Sequence, residues 1–171
     1  MITIDSVIAS CITKLEENTP LRDWCTNTFG RLPSLYDGSD ATNPPNVGNT
    51  PFVIFERDNH MGGKGRGLDE YSLMVVCGTS TEDDEVVEIV DDEQNTEVTQ
   101  TTVGTVTNAS FAYRVHNAII DQLELLSTGS EVDVELTYDD SAMSPLHMSM
   151  FLYVIRIRHV LGCTTNKYEL S

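Results

Sequence analysis

The sequence predicts an α+β domain: a mixed, mostly antiparallel sheet of about four to six strands, packed by an N-terminal helix pair and one long helix. Three observations carry this expectation. Phe111, Ala112, Val115, Ala118, Ile119, Leu123 and Leu126 recur at helical spacing, which places one apolar stripe along a long helix. Glu131-Val132-Asp133-Val134-Glu135-Leu136-Thr137-Tyr138 alternates strictly, the pattern of a strand with one wet face. From His147 to Val160 apolar residues occupy both faces until Arg156 and Arg158, as in a central strand whose far end emerges at a surface or a subunit boundary. The link between these two strands is short and contains Pro145, so they most simply pair antiparallel.

The elements follow in order. Ile4, Val7, Ile8, Cys11, Ile12 and Leu15 step at three and four, predicting a helix from near Thr3 to near Asn18 with Asp5 well placed against the helix dipole. Thr19-Pro20 reads as a second start, a capping hydroxyl before a proline, and Leu21, Trp24, Cys25 and Phe29 form the next apolar face before Gly30. Trp24 is the single tryptophan and is expected to anchor packing. Residues 31–50 carry Pro33, Pro44, Pro45, Gly38 and Gly48, a composition that predicts a long surface loop able to order against a partner. Pro51-Phe52-Val53-Ile54-Phe55 and the segment Tyr71 to Gly78 read as strands of the main sheet. Between them, residues 58–70 form a glycine-rich hairpin tip with Lys64 and Arg66 as cationic contacts for an acidic partner. No G-K-[ST] follows its glycines, and it leads into a strand, so it is not a phosphate loop. Val86 to Val90 and Thr96 to Thr105 have the β-branched content of strands, giving an acidic hairpin insertion over 82–105. Asn108 is placed to cap the long helix and Gly129 to end it. Residues 1–171 thus read as one domain.

Ten basic against 27 acidic residues give a formal charge of −17, which disfavours tight binding to the outside of free DNA. The acids cluster at Glu82-Asp83-Asp84-Glu85, Asp91-Asp92-Glu93 and Asp139-Asp140; such runs are commonly solvated loops. Cys11, Cys25, Cys77 and Cys163 form no C-x-x-C pair, and Cys11 and Cys77 lie within apolar patterns as buried thiols do. A reducing compartment is the plain reading. No apolar run is long enough to cross a bilayer, and the first residues lack the basic start and apolar core of a secretory signal, so synthesis and folding in a cytoplasm are expected.

Catalytic chemistry is not anticipated. His60, His116, His147 and His159 are scattered, with no H-E-x-x-H or H-x-H, so neither a metal nor any other cofactor is expected. The carboxylates sit in polar runs rather than in a desolvated pair, and no G-x-S-x-G elbow occurs. No catalytic, cofactor-binding or metal-binding residue is therefore assigned.

The order helix, proline-rich loop, two strands around a long hairpin, further strand, long helix and closing strands resembles the tail terminator, or tail completion, proteins of long-tailed bacteriophages. The likeness rests on Pro51-Phe52-Val53-Ile54-Phe55 after a proline-rich loop and on the helix Phe111 to Leu126 with His116-Asn117-Ala118-Ile119. The hairpin and the segment Glu82 to Glu93 are longer than in a minimal member. The resemblance implies a structural virion protein made in the host cytoplasm: a homo-oligomeric ring, typically of six subunits, that caps the tail tube and meets the head completion or connector protein. Within it DNA would pass in transit along a channel lined by Glu131, Asp133 and Glu135, with Asp139 and Asp140 at the rim, whose charge repels phosphate. Those residues equally fit the solvent face of an ordinary strand. Arg156 and Arg158 would pair with a neighbouring subunit, or with Asp139 and Asp140 of their own chain. Lys64, Arg66 and the 31–50 loop would contact the tube or connector. No membrane partner is implied. Two alternatives remain: a head-to-tail stopper or adaptor, told apart by its neighbours, and a soluble acidic inhibitor that imitates DNA.

Overall fold

A computed structural model of the protein describes residues 3–61, 68–81, 86–90, 98–126, 133–143 and 145–158. The fold is α+β. Helices α1 (Ile4–Glu17) and α2 (Thr19–Phe29) precede strands β1 (Ser34–Asp37), β2 (Phe52–Met61), β3 (Leu68–Ser80), β4 (Val86–Val90) and β5 (Val98–Thr102). Helix α3 (Val103–Leu126) and strands β6 (Asp133–Met143) and β7 (Leu146–Arg158) follow. The main sheet runs β1-β2-β3-β7-β6 and is mixed: β1 is parallel to β2, and the remaining pairs are antiparallel. Strands β4 and β5 make a separate antiparallel ribbon.

Local chemistry explains the helix ends. Thr3 closes a capping box on α1: Ser6 N–H donates to Thr3 Oγ1 at 3.2 Å, and Thr3 N–H donates to Ser6 Oγ at 2.9 Å. The expected Thr19 cap on α2 is displaced by one residue. Asn18 takes that role, its Oδ1 accepting from Leu21 N–H at 2.9 Å, because an amide oxygen reaches the free amides that Thr19 itself helps to expose. Gly30 ends α2 in the left-handed conformation at φ 73°, where glycine carries no steric penalty.

The start of α3 is the larger correction. Asn108 does not cap it; the helix begins at Val103, and Thr105 N–H donates to Thr102 Oγ1 at 3.3 Å. The cap therefore sits on the last residue of β5. The β-branched run Val103, Thr105, Val106, Thr107 favours strand on propensity alone, but tertiary contacts decide. Asn108 is buried, with its amide donating to Cys77 C=O at 3.1 Å, Thr79 Oγ1 at 3.1 Å and His147 C=O at 2.9 Å. Ser149 Oγ donates back to Asn108 Oδ1. One side chain thus clamps α3 to both central strands. Gly104 allows the close approach, since a Cβ there would overlap the His147 ring. The expected stop at Gly129 lies outside the described residues.

The 31–50 segment is not all loop. Ser34–Asp37 pairs with Phe52–Phe55 as a short edge strand, and a single 3-10 turn at Val47–Asn49 is capped by Asn46. Ser34 N–H donates to Pro51 C=O at 2.9 Å and Gly38 N–H to Phe55 C=O at 2.8 Å, so the described segment is ordered by its own chain. The hairpin strands reach further into the tip than expected, to Met61 and from Leu68, with a register shift between Arg57 and Asn59. Residues 62–67, which include Lys64 and Arg66, lie outside the described residues.

The core lies on one side of the sheet. Val53, Phe55, Leu73, Val75, Cys77, Phe151, Tyr153 and Ile155 meet Val7, Ile8, Cys11 and Leu15 of α1 and Phe111, Val115, Ile119 and Leu123 of α3. Each such large side chain contributes about 1.5–3 kcal/mol by leaving water. Trp24 completes the helical layer as a packing anchor: it stacks on Phe111 at 6.2 Å, meets Phe29 edge-on at 5.5 Å, and carries the Arg114 guanidinium 4.8 Å above its ring.

Candidate functional site

The far side of the same sheet has a different composition of contacts. Along β3, Leu73, Val75 and Cys77 are fully buried while Ser72, Met74 and Val76 are half-buried. Along β7, Phe151, Tyr153 and Ile155 are buried while Met148, Met150, Leu152 and Val154 are half-buried. The register sets these second residues opposite one another: Ser72 with Val154, Met74 with Leu152, Val76 with Met150, Gly78 with Met148. Ile54 of β2 pairs with Val76 and is itself buried. Period-two alternation thus produces two apolar faces, of which the helices cover one.

Both ends of this open stripe are defined. At one, the tip of the Phe52 ring occupies the space above Gly78, where any side chain would collide with it. At the other, Arg156 Nε donates to Glu70 Oε2 at 3.0 Å across β3 and β7, with both side chains about one-third exposed. The stripe between them is methionine-rich, and unbranched thioether side chains adapt to whatever surface meets them.

The expected site residues distribute unevenly. Glu131, Lys64 and Arg66 lie outside the described residues. Asp133, Glu135, Asp139 and Asp140 are on β6, the strand at the edge of the sheet, and their side chains are outside the description. The backbone register sets Asp133 opposite Val154, Glu135 opposite Leu152 and Asp139 opposite Met148, so β6 borders the open stripe at alternate positions. Arg158 is opposite Leu68 at the end of β7, again in backbone terms only.

Arg156 pairs with Glu70 of its own chain, and the register sets Asp139 opposite Met148 near the start of β7 while Arg156 stands near its end. Nothing in the sequence joins Arg156 to Glu70; the pairing exists only through the β3–β7 register.

Three further polar groups were not anticipated. Arg57 bridges Asp37 at 2.7 Å and Asp5 at 2.6 Å, tying the start of α1 to the β1–β2 edge, and those two carboxylates, Asp37 first, raise its pKa. His116 Nδ1 is 2.9 Å from Tyr153 Oη and its ring stacks on Phe151. Burial lowers the His116 pKa and raises that of Tyr153. His147 Nε2 is buried with no hydrogen-bond partner among the described residues.

Cys11, Cys25 and Cys77 are buried free thiols. Burial pushes Cys11 and Cys25 up to about 12 and Cys77 higher still, with Arg114 opposing the shift at Cys25; thiols so held are poor nucleophiles. Among the described residues no group of His, Cys, Asp and Glu is arranged to hold a metal, and no helix is long and apolar enough to cross a membrane. A surface cleft of about 400 Å³ lies between Leu15, Glu16, Arg22, Leu32, Pro33 and Leu35. There Arg22 is engaged with the Glu16 carbonyl at 2.7 Å. Compared with known proteins, the sequence matches no family model and no curated protein.

Proposed function

We propose that the protein is a structural assembly subunit, and specifically a ring-forming tail terminator of a long-tailed bacteriophage that caps the tail tube and joins it to the head connector. The carrying observation is the half-covered sheet. Helices close one face, whereas Met74, Val76, Met150, Leu152 and Val154 leave a part-exposed apolar stripe on the other. A chain that packs one apolar face and leaves the second part-exposed gains stability when another protein surface is laid on it. A monomeric acidic inhibitor has no use for such a face, which counts against the DNA-imitating alternative. The resemblance in element order supplies the particular assembly. The ring would direct β6, with Asp133 and Glu135, toward a channel whose negative potential lets DNA pass without adhering. The cationic hairpin tip with Lys64 and Arg66 would meet the tube or connector. A stopper or adaptor at the same joint is the nearest competing role and differs in which virion protein binds it.

Native mass spectrometry with negative-stain imaging of the purified protein, alone and mixed with tail tubes, tests this. A closed ring with a central opening is the expected product. A chain that stays monomeric in both samples would overturn the proposal.

A further inference from the structure

Strand β1 is the outer strand of the main sheet at the end opposite β6, and β2 uses one of its two edges. Ser34 N–H donates to Pro51 C=O at 2.9 Å and Gly38 N–H to Phe55 C=O at 2.8 Å. Backbone groups alternate in direction along a strand, so Leu35 and Asp37, between these inward-facing residues, turn their N–H and C=O groups out of the sheet. Among the described residues nothing accepts from or donates to those outward groups. An edge of this kind is a template for a further strand.

The space beside that edge is shaped and charged. Leu35 is opposite Val53 and packs toward the helical layer, where it lines the cleft of about 400 Å³ together with Leu15, Glu16, Arg22, Leu32 and Pro33. A residue laid next to Leu35 in an added strand points its side chain to the same side, into this cleft. Arg22 stands at the end of α1, its Nη1 donating at 2.7 Å to the Glu16 carbonyl, one of those that the last helical turn leaves without an intrahelical partner. That bond holds the guanidinium in place and leaves most of its planar fork for an acceptor. Arg57 and Arg156 each meet a carboxylate, whereas Arg22 meets only that carbonyl among the described residues. A carboxylate brought to it from outside would make the stronger, charge-assisted bond.

We infer that β1 receives an extended segment of a partner protein as a further strand, with an aliphatic side chain of that segment in the cleft and a single carboxylate on Arg22. Main-chain bonds to Leu35 and Asp37 supply affinity, and the cleft selects the side chain, the division of labour found wherever a strand is added to a sheet edge. Because β1 has four residues, the segment that it can hold is short. Charge narrows the choice further. Glu16 lines the same cleft and the chain carries a net −17, so one acid beside an apolar residue fits where an acidic run would be repelled. This site is on the helical side of the sheet, opposite the methionine stripe, and it goes beyond the ring proposed above without depending on it.

The probe is a hexapeptide in which leucine alternates with threonine and one glutamate ends the run, titrated into isotope-labelled full-length protein and followed by NMR. Saturable shifts are expected at Leu35, Asp37 and the cleft residues, with slowed amide exchange at Leu35 and Asp37. Arg22→Gln should weaken binding about three- to fivefold, the scale of an exposed ion pair, and Glu16→Gln should tighten it. Lysine in place of the probe's glutamate should invert both effects. Should Arg22→Gln fold poorly, Leu32→Ser, at a position 45% exposed, should weaken binding by removing part of the apolar lining. A probe N-methylated at alternate nitrogens, on the edge that meets β1, should lose binding. No saturable binding, equal binding to wild type by both Arg22→Gln and Leu32→Ser, or shifts in the cleft with amide exchange at Leu35 and Asp37 unchanged would each overturn the inference. Native mass spectrometry of the same samples counts copies separately, so a failed ring and a failed strand addition are told apart.

Discussion

Phe151 and Leu152 are neighbours on β7, one sealed beneath α3 and the other part-exposed on the opposite side. The same contrast repeats at Val75 and Val76 and at Leu73 and Met74. Both faces are apolar, so hydrophobic content does not distinguish them; what differs is the supply of helices. Three helices suffice for one side of the sheet, and α3 is bound there by a polar clamp, Asn108 to Cys77, Thr79, His147 and Ser149, that no sliding of the helix could reproduce. Folding of the single chain depends on the first face, and the association proposed above would draw on the second.

The largest expected effect separates these roles directly. Phe151→Ala should lower the free energy of unfolding by about 3–5 kcal/mol, the usual cost of emptying an aromatic site in a core. Leu152→Ala, in a protein kept dilute enough to be monomeric, should cost less, about 1–2 kcal/mol, because part of that side chain still meets water. Urea titration of both variants measures the difference, and equal losses would mean that the open face is closed within one chain. Asn108→Ala comes next, at about 2–3 kcal/mol, since it strands the Ser149 hydroxyl and two carbonyls away from water; the same titration should show it. Gly104→Ala should destabilise by about 1–2 kcal/mol even though alanine is the better helix former, because the new methyl meets the His147 ring. Combining it with His147→Ala should recover part of the loss, as a double-mutant cycle would reveal.

Smaller effects mark the rim of the covered side. Arg57→Met should cost about 0.5–1 kcal/mol and the cost should fade in high salt, as for other exposed ion pairs. At His116 burial lowers the folded pKa below its ordinary 6.5. The unfolded chain then binds the proton more readily, so stability rises with pH through the window that ends near 6.5 and is lost as pH falls toward the folded pKa. Urea midpoints measured across that window should have a positive slope that His116→Gln reduces.

How much of this was legible depended on whether its cause was local. The three-and-four spacing of Val7, Ile8, Cys11 and Leu15 and the alternation at Leu73, Val75 and Cys77 predict the elements that form, because burial of one face is written into a few adjacent residues. β1 was hidden: Ser34-Leu35-Tyr36-Asp37 is four residues amid prolines and glycines, and it becomes a strand only by lying beside Phe52–Phe55. The start of α3 was misplaced because Asn108 has the chemistry of a cap and is used instead as a clamp between distant strands. For β7, apolar residues on both faces predicted an interior strand. It is one, between β3 and β6, but a strand's place in a sheet does not say whether each of its faces is covered. The Arg156–Glu70 pair spans too much sequence to be read from either residue. The β6 carboxylates Asp133, Glu135 and Asp139 are placed by backbone register beside the stripe.

Trp24 gives the two-sided design an optical consequence. The single indole is held between Phe29, Phe111 and Arg114 in the helical layer, so its emission should change when that layer detaches from the sheet. A ligand or neighbour settling on the methionine stripe meets the opposite side and should leave the spectrum nearly unmoved. Fluorescence thus follows folding while light scattering follows assembly, and one cuvette can separate the two.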